Sequence, residues 1–463
     1  MVGSRSISLS LLLLALLPAT AAANSSTRII VKRDAGLSVA ERADIRADAD
    51  VRYAESLPLP RTEVVTAERG DVADALRDLN ADPAVVYAER DGIRTATADP
   101  ETDPLWGLQR VQAPAVWGDS VFGVDATVAV VDSGIDTSHP DLVDRIADEG
   151  YDFVDDDTDP FDEDGHGTHV AGTIAANKNG VGLAGVAPEA GLVPLRALAL
   201  DENNNVSGLI SDLVEAYDWA GDHDVPIVNA SLGGPGAFQT EYNAIARNED
   251  VLFVVAAGND GTDNDNPDPD LSNFPCAYDL PNIICVGATD DQDDIADFSN
   301  FGANTVDVFA PGVGIESTYT SPDYETLEGT SMATPHVAGA AALLLSATPE
   351  LSPAAVAAAI MDWSDHDDDL DVKSVSGGVT NAFAALTSND ADGDGHLDRA
   401  DTCPMNDNDQ AADMDSDGVG DACDGTPRGD DDDNDGVGEM DDACPAQVGN
   451  TANGCYVTPT PPD

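Results

Sequence analysis

Between residues 99 and 387, short and mostly apolar runs, ATVAVV, GLVPLRAL, PIVNASL, VLFVVAAG and NIICVGAT, alternate with helix-like segments such as HVAGTIAAN and LISDLVEAYDWAG. A strand with one wet face alternates apolar and polar residues, whereas a strand that is apolar throughout is covered on both faces. Such strands interleaved with helices predict an α/β fold: a mostly parallel sheet with helices on both sides. Reactive groups in that architecture gather beyond the C-terminal ends of the strands.

The flanking regions read differently. Arg5, an apolar run from Leu9 to Leu17 and the small residues before Asn24 make residues 1–23 a signal peptide cut after Ala23. That run is too short to span a bilayer, which takes about 18 apolar residues or more. Residues 24–98 form a small α+β module, with RIIVKR, RTEVVTAE and AVVYAERD as strands and SVAERADIRADAD and VADALRDLN as helices. The following stretch GIRTATADPETDP lacks periodicity and reads as an accessible linker. Residues 388–455 are an acidic repeat, and 456–463 a Pro/Thr-rich tail.

The net charge of −68 is unevenly spread. The segment from Ser388 onward carries 21 acids against Arg399 and Arg428, while residues 24–98 hold 14 acids and 11 bases. Most of the excess therefore lies on residues 99–387. Such a surface argues against nucleic acid or anionic membrane as a partner. Lys32, Lys178 and Lys373 are the only lysines, a composition suited to solubility in strong salt, where repulsion is screened. Six cysteines match an exported, oxidised protein. Cys276 and Cys285 form one group and Cys403, Cys423, Cys444 and Cys455 another, with pairing expected within each.

Reactive chemistry is concentrated in four segments. EGTSMATPHVAGAAALLL places Ser331 at the start of a buried helix, with Pro335 expected within the first turn, where its missing N–H is harmless. A serine there is ordinarily an N-cap; it is alternatively a nucleophile surrounded by helix-start N–H groups. VVDSGID ends a strand on Asp132, DGHGTHVAG sets His166 at a helix start, and VVAAGND ends another strand on Asn259. Serine acyl transfer needs this inventory: nucleophile, imidazole, orienting carboxylate and oxyanion donor. His169 has no metal-ligand spacing to His166 and is expected to bond locally.

With NASLGG added, these motifs resemble the subtilisin-like serine proteases, the subtilases, in that family's Asp, His, Asn, Ser order. The resemblance covers residues 99–387 and extends to the preceding module, which is similar to the family's inhibitory propeptide. It implies a subtilisin-like three-layer fold and a secreted serine endopeptidase of broad specificity acting on proteins or peptides. By the same resemblance, Asp132 orients His166, His166 takes the proton of Ser331, and Asn259 with the Ser331 N–H forms the oxyanion hole. Ser231, Leu232, Gly233 and Gly234 match the strand that pairs with substrate and lines the pocket before the cut, where Asp260 would favour a basic or neutral residue. Asp141 and Asn179 match a structural calcium site, with Lys178 as a departure inside that loop. The module 24–98 would act as chaperone and then inhibitor, removed by cleavage between Arg94 and Glu101. The protein would be a monomer.

The C-terminal repeats carry acids at positions 1, 3, 5, 9 and 12 with glycine at 6, the layout of calcium loops. They lack EF-hand helices and resemble thrombospondin type 3 repeats. That likeness implies three structural calcium ions in an irregular region. Asp390, Asp392, Asp394, Asp398 and Asp401 would hold the first, and Asp413, Asp415, Asp417, Asp421 and Asp424 the second. Asp431, Asp433, Asp435, Glu439 and Asp442 would hold the third, with Cys403–Cys423 and Cys444–Cys455 as bridges. The competing expectation is a catalytically silent subtilase scaffold that binds partners through calcium; a peptide ligase on the same fold has no feature here that would exclude water.

Overall fold

The computed structural model describes residues 27–67, 72–95, 105–147, 150–180, 182–201, 205–320 and 322–388. The signal segment 1–23, the tail 456–463, the calcium loops from Asp390 through Asp442 and the two C-terminal bridges lie outside these residues.

The N-terminal module comprises β1 (Arg28–Arg33), α1 (Val39–Asp48), β2 (Arg52–Ser56), β3 (Thr62–Thr66), α2 (Val72–Ala81), β4 (Val85–Arg90) and β5 (Ile93–Thr95). Its first four strands form an antiparallel sheet in the order β2-β3-β1-β4. Ser38 opens α1 with a capping box: its hydroxyl accepts the Glu41 N–H, and the Glu41 carboxylate accepts the Ser38 N–H. The run Ile29, Ile30, Val31 is buried on both faces. Ile29 and Val31 join Val65 and Leu79 in the module's own core, whereas Ile30 and Val64 turn toward the larger region and share a core with Tyr217 and Phe253. The module is thereby packed onto its neighbour by the residues between those of its own core.

The larger region runs α3 (Trp106–Arg110), α4 (Ala113–Gly118), β6 (Thr127–Asp132), β7 (Tyr151–Asp152), α5 (His166–Ala175), β8 (Gly191–Arg196), β9 (Ala199–Leu200), β10 (Val206–Leu209), α6 (Ile210–Asp222), β11 (Ile227–Ala230), β12 (Gly234–Pro235), α7 (Gln239–Arg247) and β13 (Leu252–Ala256). It continues with β14 (Asn273–Phe274), β15 (Ile283–Thr289), β16 (Val308–Pro311), β17 (Ile315–Thr318), β18 (Tyr324–Leu327), α8 (Thr330–Ala347), α9 (Pro353–Asp362), β19 (Asp365–His366), β20 (Gly378–Val379) and α10 (Ala382–Ser388). One nine-stranded sheet, ordered β19-β20-β16-β15-β13-β11-β6-β8-β7, is parallel except at the β19–β20 pair. Helices α5, α8, α9 and α10 cover one face, and α6 and α7 the other. This is the three-layer arrangement expected from the apolar runs.

After β6 the chain builds β7 and β8 on one side and then crosses to β11 and onward on the other. The reversal opens a crevice beyond the C-terminal end of β6, where Asp132 lies. Helix α8 is buried continuously from Thr330 to Leu344. Its small residues permit that: a Cβ on Gly339 would stand 2.6 Å from the Val186 Cβ. Cys276 and Cys285 are bonded as expected.

One expectation needs correction, and one strand was not anticipated. The stretch read as an accessible linker from residue 92 contains β5, which pairs antiparallel with β10 through Ile93–Leu209, Arg94–Gly208 and Thr95–Ser207. Residues 52–56, unassigned in the sequence reading, form the largely exposed edge strand β2. Among the described residues, no helix is long and apolar enough to cross a membrane.

Candidate active site

Asp132 ends β6 with no exposed surface, and its Oδ1 accepts hydrogen bonds from the Ser133 N–H and from His166 Nδ1, each at 2.7 Å. A carboxylate offers only acceptors, so the proton of the neutral imidazole sits on Nδ1 and the lone pair on Nε2. His166 Nε2 is buried and has no hydrogen-bond partner among the described residues. Burial alone would push this imidazole's pKa down, but the Asp132 carboxylate in contact with it, with Asp164 and Asp162 behind, holds it above its ordinary value.

His166 is placed by a residue the sequence reading passed over. Asp162, fully buried, accepts from Ser133 Oγ and from the N–H groups of Asp164 and Gly165 at Oδ1, and from the Thr168 N–H and hydroxyl at Oδ2. It thus gathers the orphan donors at the start of α5 and ties them to the residue after Asp132. An aspartate three residues ahead of a Gly-His helix start is itself a capping signal. Gly167 has to be glycine, since a Cβ there would lie 2.1 Å from the Gly134 carbonyl oxygen and 3.1 Å from the Asp132 Cβ.

Ser331 is the second residue of α8, and Gly329 is the N-cap, so the capping role considered for Ser331 falls away. Asn259 caps the helix from outside: its Oδ1 accepts the Thr330 N–H at 2.9 Å and the Thr330 hydroxyl at 2.8 Å. Gripping the carbonyl end fixes which way the Asn259 amide group points. Ser331 and Ser231 exchange hydrogen bonds, Ser331 Oγ donating to the Ser231 carbonyl at 2.9 Å and Ser231 Oγ donating to the Ser331 carbonyl at 2.8 Å.

That second bond explains Pro335, which lies beyond the first turn, inside α8, where the sequence reading did not place it. A residue at 335 would normally donate its N–H to the carbonyl at 331. Proline has no N–H, and the Ser231 hydroxyl takes its place. Asn229 Nδ2 in turn donates to Ser231 Oγ at 2.9 Å. His169 and His336 are structural: each is buried and bonded to backbone carbonyls, and burial foremost pushes them down to about 3 and about 4.

Leu232, Gly233 and Gly234 follow β11 and, with Asn259 and Ser331, line a pocket of about 210 Å³. Gly234 pairs with Phe274 in the small β12–β14 sheet, while β5 lies between β10 and the vicinity of β12. Ser207, Gly208 and Leu209 thus pair backbone to backbone with β5, a pairing the sequence reading did not include.

Asp141 and Asn179 do meet. Asp141 is fully buried, Asn179 Nδ2 donates to its Oδ1 at 3.2 Å, and the Leu183 N–H and Tyr324 hydroxyl donate to its Oδ2. Lys178 is not a competing cation: its Nζ lies over the rings of Trp117 and Phe122.

The sequence matches the subtilase family, peptidase S8, over residues 123–400. It is 42% identical over 276 residues to an alkaline protease of Alkalihalobacillus alcalophilus, covering 59% of this chain and 67% of that one. Subtilisin E of Bacillus subtilis strain 168 is 40% identical over 285 residues, covering 61% and 71% respectively. Among solved structures, fervidolysin from Fervidobacterium pennivorans, a keratinolytic enzyme related to subtilisin, superposes with a TM-score of 0.66 at 26% identity. That superposition covers 78% of this chain and 61% of fervidolysin.

Proposed function

Because the chain belongs to the subtilase family and is a serine-type endopeptidase, we propose that Ser331 is its nucleophile, His166 its general base and acid, Asp132 the carboxylate that orients His166, and Asn259 an oxyanion donor. The observation that carries this reading is the 2.7 Å bond from His166 Nδ1 to Asp132, which leaves the basic nitrogen Nε2 unengaged. The Ser331 hydroxyl turns from the Ser231 carbonyl to His166 Nε2, gives up its proton there and attacks the scissile carbonyl. The oxyanion that forms accepts from the Asn259 amide and the Ser331 N–H, and losing one such donor typically costs about 100- to 1000-fold in rate. His166 then protonates the leaving amine, and water resolves the acyl-enzyme by the same route.

Substrate adds a strand to β10, the position that β5 holds here. Main-chain pairing gives affinity without demanding a sequence, which supports broad specificity. Residues 24–98 serve as chaperone and inhibitor of an exported zymogen, with β5 leading to a cleavage point between Arg94 and Glu101. The Asp141–Asn179 pair fits a hard cation, being a buried carboxylate beside an amide oxygen that a flip of Asn179 would supply. Calcium there would neutralise that carboxylate and tie the loop 177–183 to it. The spacing of acids from Asp390 to Asp442 supports further structural calcium in the C-terminal repeats.

Fluorophosphonate labelling in high salt with calcium tests the reading. The wild type is expected to label at Ser331 and to lose its prosegment, while Ser331→Ala stays full length by mass. A folded wild type that neither labels nor matures would make the site catalytically silent.

A further inference from the structure

The pocket beside Ser331 is a slot with glycine in both walls. Gly233 stands on one side and Gly258 on the other, and the Asn273 side chain occupies the space between them. A Cβ on Gly233 would come within 2.4 Å of Asn273 Nδ2, and one on Gly258 within 2.9 Å of Asn273 Cγ. Bare walls that would otherwise admit a wide, flat side chain are thus spanned by a carboxamide.

That carboxamide is held firmly. Asn273 is 6% exposed; its Nδ2 donates to the Ala256 carbonyl at 3.0 Å, and its own N–H donates to Asn264 Oδ1 at 3.2 Å. Asn264 is itself buried and donates to the Ala257 carbonyl at 2.8 Å. Facing the Ala256 carbonyl fixes the amide's orientation, because oxygen against oxygen would repel. Oδ1 is therefore turned away from the β13 strand end, and no described residue donates to it.

We propose that Asn273 sets the residue preference of the enzyme on the acyl side of the cut, selecting a mid-sized, uncharged side chain that donates a hydrogen bond, such as glutamine, over an aromatic one. Two physical effects act together. The carboxamide closes a cavity of about 210 Å³, already below the roughly 300 Å³ at which ligand pockets usually begin, against a ring. An aromatic side chain would also leave Oδ1 buried and unpaired, whereas a glutamine amide satisfies it. Asp260, which also lines the pocket, disfavours an acidic side chain. The inference rests on the acyl-transfer reading of Ser331.

The experiment compares kcat/KM for otherwise identical peptides with Gln, Leu, Phe or Lys before the scissile bond. It uses the mature enzyme and its Asn273→Gly and Asn273→Ser variants. The Phe-to-Gln ratio within each preparation does not depend on how much of it is folded. Wild type is expected to favour Gln over Phe. Asn273→Gly should raise the Phe-to-Gln ratio about 10- to 100-fold, the range of one pocket contact, with Asn273→Ser between them. A ratio that stays within about threefold of wild type in both variants, or a wild type that favours Phe, overturns the assignment. Fluorophosphonate labelling of the same preparations separates the two claims: labelled Ser331 with an unmoved ratio defeats the role of Asn273 alone. An unlabelled, folded wild type defeats the acyl-transfer reading and this inference with it.

Discussion

Replacing Ser231 with alanine should destabilise the protein through a carbonyl that proline has left without its usual helical partner. Ser231 is fully buried, and its hydroxyl serves two groups, donating to the Ser331 carbonyl and accepting from Asn229 Nδ2. Each buried group orphaned by losing its partner costs about 1–3 kcal/mol, so Ser231→Ala, which orphans two, should cost about 2–6 kcal/mol. Pro335→Ala restores an N–H one helical turn from Ser331 that can donate to the same carbonyl. In that background Ser231→Ala orphans only the Asn229 amide and should cost about 1–3 kcal/mol, giving a coupling of about 1–3 kcal/mol. The cycle is best run on the Ser331→Ala chain, in which autolysis is blocked, by denaturant unfolding followed through tryptophan fluorescence. All four tryptophans, Trp106, Trp117, Trp219 and Trp363, lie in the larger region, so the signal reports on it alone. A loss from Ser231→Ala that agrees between the two backgrounds within about 0.5 kcal/mol would refute the substitution of hydroxyl for N–H.

Three further outcomes follow from the same geometry. His166 must be neutral to accept a proton and its pKa is raised, so kcat/KM should fall on acidification with a midpoint above the ordinary imidazole value of about 6.5. Asp132→Asn should move that midpoint down and lower kcat about 10⁴-fold; a midpoint that stays put would show the charge is not acting on His166. Breaking Cys276–Cys285, whose partners are 9 residues apart, should cost about 2.7 kcal/mol by loop-closure entropy, and a calorimetric loss near zero would contradict it. Glu215 on α6 is pushed up to about 7 by burial first and then by Glu55 of the N-terminal module and Asp156, against Arg28. An acid with a raised pKa stabilises the folded contact below its unfolded value of about 4.5 and loses that contribution as pH rises through about 7. The thermal stability of the Ser331→Ala chain should therefore fall over that window, and Glu215→Gln should flatten the slope.

What the sequence revealed and concealed divides along the range of the interactions. Strands β6, β11, β13 and β15 were legible because burial on both faces writes itself into consecutive residues. Helix α1 was legible as a segment, while its capping box of Ser38 and Glu41 emerged only in the structure. The pairing of Asp132 with His166 came from motif order, since nothing local brings residues 34 apart together. Strand β5 was invisible because its conformation is imposed by β10 and not by its own pattern. Pro335 was misplaced because the group that replaces its N–H comes from Ser231, 100 residues from the carbonyl it serves. Lys178 looked like a flaw in a cation loop only while the direction of its side chain over Trp117 and Phe122 was unknown. Asn273 carries no signal at all, being one asparagine at the end of the polar stretch DNDNPDPDLSN until the two glycine walls close on it.

The three-stranded ribbon β9-β10-β5 has a consequence for the life of the chain before it works. Whenever β5 departs, β10 is left with a free edge, and a free edge recruits any extended segment, including another copy of itself. A chain this acidic repels its own kind, yet repulsion weakens in the salt that its composition suits. In the zymogen proposed above, keeping β5 docked while the rest of the chain folds shields an edge able to nucleate aggregates.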